Sequence, residues 1–333
     1  MGSATFALPS LDALFEAGHT LTGVITQPDK PTGRGHALQS TPVKKRAHEL
    51  HLPVYEPKSL KADETRAVIR ALAPDLIVVV AYGKILPSWL LQFPKYGCVN
   101  LHGSLLPRYR GAAPVHWAIA KGEPKTGVCT MLLDEGLDTG AVFLCDETEI
   151  GSDETTPELY DRLAAMGAPL VVKTIEGIVA GTLKPKPQDD SQATFAPMLK
   201  KEDGLLDWTK TAMDIHNQVR AFNPWPGVVT KFRGTNCKIL KTAVYVGPGG
   251  PRSASAIARS PENRPPLQRP GALQFEPGTV VATKGRLSVM CGNGMPLEIV
   301  SIQPENRKSV SGADFANGAR IQAGEKFEAV MDN

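Results

Sequence analysis

Long apolar runs are missing from this 333-residue chain. Nothing approaches the roughly 18 apolar residues a membrane helix needs, and the longest candidate, Leu76 to Ala81, is strand-sized. No membrane span is expected. The N-terminus lacks the basic-then-apolar layout of a secretory signal and the Arg/Ser bias of a transit peptide. Five scattered cysteines (Cys98, Cys129, Cys145, Cys237, Cys291) show no CxxC spacing and no nearby histidine cluster. That argues against a zinc site and against a disulfide framework, so a reduced, cytoplasmic chain without a metal is expected. A GxGxxG dinucleotide fingerprint is absent too, because Gly33-Arg34-Gly35 has the wrong spacing.

Acidic residues are missing locally rather than overall. Net charge is only +3, yet no Asp or Glu occurs from Ile215 to Pro261, where Lys231, Arg233, Lys238 and Lys241 fall. A second acid-free stretch, Lys30 to His48, holds Lys30, Arg34, Lys44, Lys45 and Arg46. Such local basic excess suits a phosphate-rich partner, although charge alone fits a solvated loop equally well.

What is present reads as globular. A hydrophobic share of 42% with 21% charged residues and this length suit about two domains. Ser10 is placed to cap a helix ending near Ala17, and a strand follows over Leu21 to Thr26. Gln27 to Thr41, rich in Pro and Gly, reads as a long exposed loop. Helices are expected over Pro42 to His51 and Asp63 to Leu72. Asp75 to Tyr82 is a continuous apolar run, as in a strand buried on both faces. Alternating strands and helices point to an α/β domain with a doubly wound, mostly parallel sheet. Leu159, Leu163, Met166 and Leu170 keep helical spacing. Lys184 to Pro197 is a proline-bearing polar connector. Beyond it, short apolar runs separated by Gly/Pro turns suggest a small β-barrel. Gly247 to Gly278, dense in Pro, Gly, Ser and Arg, is expected to be a mobile insertion.

The stretch most suited to chemistry is Gly97 to Gly111, GCVNLHGSLLPRYRG. Asn100 and His102 lie two apart on a strand and so project to one face. Gly103 and Ser104 break that strand, and the end of a strand followed by a loop and helix is the usual site in open α/β sheets. A second polar cluster, Asp134 to Gly140, follows the apolar run Gly127 to Leu133. Asp138 in it can meet His102 if the strands are neighbours.

At these motifs a resemblance appears. NLHGSLLPRYRG (Asn100 to Gly111) followed by GLDTG (Gly136 to Gly140) resembles the folate-dependent formyltransferases. TQPDKPTGRG (Thr26 to Gly35), TPVK (Thr41 to Lys44) and VRAFNPWPG (Val219 to Gly227) are similar to the branch acting on tRNA. The resemblance implies a Rossmann-like catalytic domain over residues 1–183, a linker over 184–197 and an OB-like tRNA-binding domain over 198–330. It implies formyl transfer from 10-formyltetrahydrofolate to the amino group of initiator methionyl-tRNA, by a bacterial monomer. Asn100, His102 and Asp138 would be catalytic; Ser104, Leu105, Leu106 and Pro107 would form the folate-binding turn. Lys30, Arg34, Lys231, Arg233, Lys238 and Lys241 would hold the tRNA. In that family an apolar strand precedes Met1-Gly2-Ser3, so a central strand is expected to be absent and the true start to lie upstream. A sugar-nucleotide formyltransferase, a formylfolate hydrolase and a non-catalytic RNA-binding paralogue are the alternatives.

Overall fold

The computed structural model describes residues 1–32, 37–244, 275–283 and 285–330. Arg34 and nearly all of the expected insertion, Gly247 to Gly278, lie outside them. The chain divides into two units that interleave in sequence. The first comprises Met1–Pro114, Thr126–Thr148 and Leu159–Pro197; the second comprises Val115–Lys125, Glu149–Glu158 and the chain from Met198 onward.

The first unit opens with helix α1 (Leu8–Glu16). Ser10 does not cap it: the helix starts two residues earlier with Pro9 in its first turn, where a missing N–H costs nothing. Strand β1 is only Val24–Ile25. The expected loop contains a hairpin, β2 (Lys30–Thr32) antiparallel to β3 (Ala37–Gln39). Thr41 caps helix α2 (Pro42–Glu49) by accepting the Lys44 N–H. Then come β4 (Val54–Tyr55), α3 (Asp63–Leu72), β5 (Ile77–Val79), α4 (Ser88–Leu91) and β6 (Cys98–His102). Past α5 (Pro114–Ala120), β7 (Lys125–Leu132) and β8 (Val142–Glu149) complete a sheet ordered β5-β6-β7-β8. Its β5–β6 pair is parallel and its β6–β7 pair antiparallel. Helix α6 (Thr156–Val179) buries Leu159, Leu163, Leu170 and Val171 at helical spacing.

β1 pairs only with β4, in a separate parallel pair. Between β1 and β5 lie Met1 and Gly2. The Gly2 N–H donates to the Ile25 carbonyl at 3.0 Å, the Met1 ammonium to the Val78 carbonyl at 2.5 Å, and the Val80 N–H to the Met1 carbonyl at 2.9 Å. Gly2 forms a parallel bridge with Val80. A Cβ at Gly2 would stand 2.8 Å from both the Ala7 Cβ and the Val80 carbonyl, so this close approach needs glycine. These two residues thus occupy the place between β1 and β5. Beside them is a cavity of about 580 Å³ lined by Leu11, Leu14, Val24, Ile69, Ile77 and Val179 among others. Burial pushes the Met1 amine down to about 6.

The cysteines hold a surprise. β7 and β8 place Cys129 and Cys145 opposite each other, with Cα atoms 4.1 Å apart, and the two form a disulfide. Spacing along the sequence argues against a disulfide framework and gives no sign of this one bond; the hairpin supplies the proximity that spacing cannot reveal. Cys98, Cys237 and Cys291 are buried free thiols.

In the second unit α7 (Ala212–Phe222) precedes β9 (Val228–Phe232), β10 (Thr235–Val244), β11 (Val280–Thr283), β12 (Arg286–Met290) and β13 (Pro296–Pro304). β14 (Val310–Ser311), α8 (Gly312–Gly318) and β15 (Phe327–Glu328) follow. The sheet order is β11-β12-β13-β10-β9-β15, with β14 on β13. Its outer members meet at one bridge, Thr279 to Lys326. The mostly-β character expected of this unit is present, but among the described residues no ladder closes the sheet into a barrel. Phe232, Phe315, Phe327 and Trp208 stack in its core. No helix among the described residues is long and apolar enough to cross a membrane.

Two histidines of this unit, His116 and His216, have pKa values lowered from 6.5, chiefly by burial. The buried His216 ring is satisfied when neutral: its Nδ1 meets the Thr242 hydroxyl at 2.9 Å and its Nε2 meets the Ser152 carbonyl at 3.3 Å. Unfolding frees both imidazoles to take up protons, so their contribution to stability is full above the unfolded value of 6.5 and is lost as pH falls through the lowered folded values. Denaturant unfolding should show a lower midpoint at about pH 5 than at about pH 7.5, and His216→Gln should flatten that dependence.

Candidate active site

Strand β6 is buried at both ends and half-exposed at Asn100. It lies between β5 and β7, with Asn100 opposite Val79 on one side and Met131 on the other. Burial on both sides of the ladder fixes the register, and with it the shared face of Asn100 and His102. The His102 ring is 6% exposed. Its Nε2 donates to the Tyr109 carbonyl at 2.9 Å. Its Nδ1 lies 3.7 Å from Asp138 Oδ2, an ion-pair distance rather than a hydrogen bond. Both nitrogens thus face acceptors, an arrangement satisfied by a ring bearing two protons.

Asp138 comes from the loop between β7 and β8, where it adopts φ 55°. Several contacts hold that loop. Asp134 Oδ1 accepts the Gly136 N–H and the Thr139 hydroxyl at 3.0 and 2.7 Å. Asp138 Oδ2 accepts the Gly111 N–H at 2.8 Å, which joins this loop to the one that follows β6. At Gly140 a Cβ would stand 1.7 Å from the Leu132 carbonyl, so the loop closes against β7 only without a side chain. His102 and Asp138 are thus brought together within one unit, with Asn100 two residues before His102 on the same strand.

The Leu105-Leu106-Pro107 turn follows directly and is half-exposed, with a cis bond before Pro107. Ser104 is wholly buried, and its hydroxyl donates to the Arg108 carbonyl at 2.6 Å. It braces the turn from inside instead of facing a ligand. At the carboxyl end of the parallel neighbour β5, Tyr82 is buried, its hydroxyl without a hydrogen-bond partner among the described residues, while Ile85 is 88% exposed. Half-exposed apolar side chains on such a turn suit contact with a flat ring. Among the described residues no group of three or more His, Cys, Asp or Glu converges as a metal set would.

Two family models match the chain, "Formyl transferase" over residues 1–175 and "Formyl transferase, C-terminal domain" over residues 198–320. The chain belongs to the formyltransferase family. Methionyl-tRNA formyltransferase of Acidobacterium capsulatum is 45% identical over 318 residues, covering 95% of this chain and 94% of that one. The enzyme of that name from Solibacter usitatus is 44% identical over 327 residues, covering 98% and 97%. Among solved structures, a sugar 3N-formyltransferase with dTDP and 5-N-formyltetrahydrofolate matches with a TM-score of 0.62 at 18% identity, over 92% of this chain and 97% of that one. The Helicobacter canadensis N-formyltransferase with folinic acid and dTDP-3-aminofucose gives 0.62 at 18%, over 91% and 97%. Both likenesses concern the fold, a Rossmann-like formyltransferase domain followed by a mostly-β domain.

The basic residues of this formyltransferase are dispersed. Lys30 is exposed at the start of β2, its Nζ donating to Gln27 Oε1 at 2.7 Å. Lys231 on β9 and Lys238 on β10 share one face of the curled sheet, since Lys231 stands opposite Asn236 and Lys238 opposite Val229. Lys238 and Lys241 are exposed, Lys241 following a register shift, whereas Lys231 is half-exposed and stands opposite Glu328 of β15. Arg233 is engaged elsewhere: it grips Glu325 with two nitrogens at 2.8 and 2.9 Å and donates to the Ala319 carbonyl.

Sequence reasoning missed the connector. Lys184 to Pro197 runs as a strap on the first unit, bridging Val142 through Lys186 and Arg110 through Phe195. From it Gln188 reaches the carbonyls of Asp138 and Gly140, and Thr194 receives the Tyr109 N–H. Polar connector composition carried no signal for this. Gly140→Ala should lower the thermal midpoint and destabilise the chain by about 1–3 kcal/mol, measured by calorimetry beside Gly234→Ala. A Cβ at Gly234 meets nothing within 4 Å, and its φ of 73° gives that control a backbone cost that Gly140 does not carry, so any excess loss at Gly140 is a lower bound on the clash.

Proposed function

We propose that this formyltransferase moves the formyl group of 10-formyltetrahydrofolate to the α-amino group of initiator methionyl-tRNA, in support of translation initiation. The observation that carries the reading is the His102–Asp138 pair with Asn100 on the same strand face. It occurs in a chain 45% identical over 95% of its length to an enzyme named for that reaction. The sugar-nucleotide alternative has fold likeness alone behind it, at 18% identity.

The folate supplies an activated formyl group. The methionyl amine attacks its carbon, the carbonyl π bond opens to an oxyanion, and collapse breaks the bond to the folate nitrogen. An oxyanion needs preorganised donors. Asn100 offers its amide NH₂, and His102 offers a ring N–H once the formyl oxygen replaces the Tyr109 carbonyl as its acceptor. The attacking ammonium must release two protons, one passing to the folate nitrogen and one to solvent. Asp138, 3.7 Å from the ring, stabilises the charged imidazole and relays one of these protons. The turn Leu105 to Pro107 would hold the folate ring, braced by Ser104. Exposed Lys30, Lys238 and Lys241 and half-exposed Lys231 would meet tRNA phosphates, with Arg34 assigned the same role from sequence.

With 10-formyltetrahydrofolate and initiator methionyl-tRNA, transfer should be measurable for the intact chain and fall at least about a hundredfold in His102→Ala. Binding of folate without transfer to tRNA would redirect the assignment to another amine. Lys231→Glu with Lys238→Glu should raise KM for tRNA, flatten its salt dependence and leave KM for the folate unchanged. An unchanged tRNA KM would remove that sheet face from the interface.

A further inference from the structure

The acid of the site sits in a loop that the sheet does not pin. Asp138 lies at left-handed φ, 55°, a conformation that costs a non-glycine residue unless its surroundings impose it. What imposes it is a side chain fifty positions away. Gln188 Nε2 donates to the Asp138 carbonyl at 2.9 Å and to the Gly140 carbonyl at 2.7 Å. The other end of the same amide accepts from Arg110, whose Nε and Nη2 lie 3.1 and 2.9 Å from Gln188 Oε1.

Arg110 is itself immobilised. Its side chain is 4% exposed and also pairs with Asp190 at 2.7 Å. Its backbone is held on both sides, the N–H by the Thr194 carbonyl and the carbonyl by the Ala196 N–H. The next residue, Gly111, gives its N–H to Asp138 Oδ2. A closed circuit results: Arg110 fixes Gln188, Gln188 fixes the backbone of Asp138, and the residue after Arg110 fixes the carboxylate.

The chemistry of this circuit selects glutamine. Two carbonyl oxygens must be met by donors and a guanidinium by an acceptor, and a primary amide has both ends. Glutamate would still pair with Arg110 but would set an oxygen against two carbonyls. An apolar side chain would leave a buried guanidinium short of an acceptor.

We propose that Gln188 is a positioning residue for the formyl-transfer reaction: anchored by Arg110, it sets the backbone of Asp138 and thereby the aim of that carboxylate at His102. The inference rests on the reading of Asn100, His102 and Asp138 as the catalytic group. Displacing a reacting group by an ångström can cost about a hundredfold in rate, so releasing the loop acts on turnover while leaving the substrate-binding surfaces in place.

The test is a double-mutant cycle on the full chain, assayed with 10-formyltetrahydrofolate and initiator methionyl-tRNA. Gln188→Glu should lower kcat roughly tenfold to a hundredfold, with both KM values within about twofold and the acid limb of the pH–rate profile displaced. Gln188→Ala, which removes the donors without adding charge, should do the same to a lesser degree and serves if the glutamate variant does not fold. In an Asp138→Asn background the Gln188 changes should cost less than about twofold more, because they act through that carboxylate. The proposal is overturned if both Gln188 variants keep wild-type kcat while Asp138→Asn is inactive, or if their full loss recurs in the Asp138→Asn background. Asp138→Asn at wild-type kcat would instead overturn the catalytic reading on which the proposal stands.

Discussion

The hydrogen bond from the Gly111 N–H to Asp138 Oδ2, 2.8 Å long, is the tie on which the site depends. A strand can place Asn100 and His102, because register and alternation do so wherever a sheet is buried. It cannot place an acid carried by a different loop. The Asp138 carboxylate is 16% exposed, and a carboxylate moved out of water needs donors to replace those it gave up. The backbone N–H of Gly111 is one, and His102 Nδ1 lies 3.7 Å from the same oxygen. Each partner makes the other less costly to bury. This explains why the loop after β6 and the loop after β7, 27 positions apart at the bond, behave as one constellation.

What could be read from the sequence follows the range of the interactions. Asn100 and His102 were legible because strand alternation is a rule of nearest neighbours. Asp138 was legible as a polar residue after an apolar run. Gln188 was not, since its bonds span 50 and 78 positions and its neighbours look like any solvated connector. Nor was the Cys129–Cys145 disulfide, which exists because a hairpin turns. Ser10 illustrates the opposite failure: its residue type suits a cap, yet it lies inside α1 with its hydroxyl buried and unpartnered among the described residues.

Charge shows the same divide between composition and fold. Counting cations in the two acid-free stretches treats every Lys and Arg as available to a polyanion. In the structure Lys44 joins Asp29 at 3.0 Å and Glu56 at 2.8 Å, and Arg46 joins Asp12 at 2.7 Å. Arg220 is buried among the carbonyls of Gly151 and Glu154 and the Asn217 amide, where desolvation pulls its pKa down to about 10. Arg233 is clamped by Glu325, 92 positions away. Acids absent from the local sequence are thus supplied through space. A cation already paired releases few counterions on meeting a phosphate and adds little to affinity or to salt dependence. Lys238 on β10 is of a different kind: it is exposed, and strand register sets it opposite Val229 and Gln303 rather than an acid, while half-exposed Lys231 on β9 shares its face and stands opposite Glu328 of β15. If a phosphate backbone is recognised on this unit, Lys231 and Lys238 are the charges whose spacing the sheet has fixed in advance.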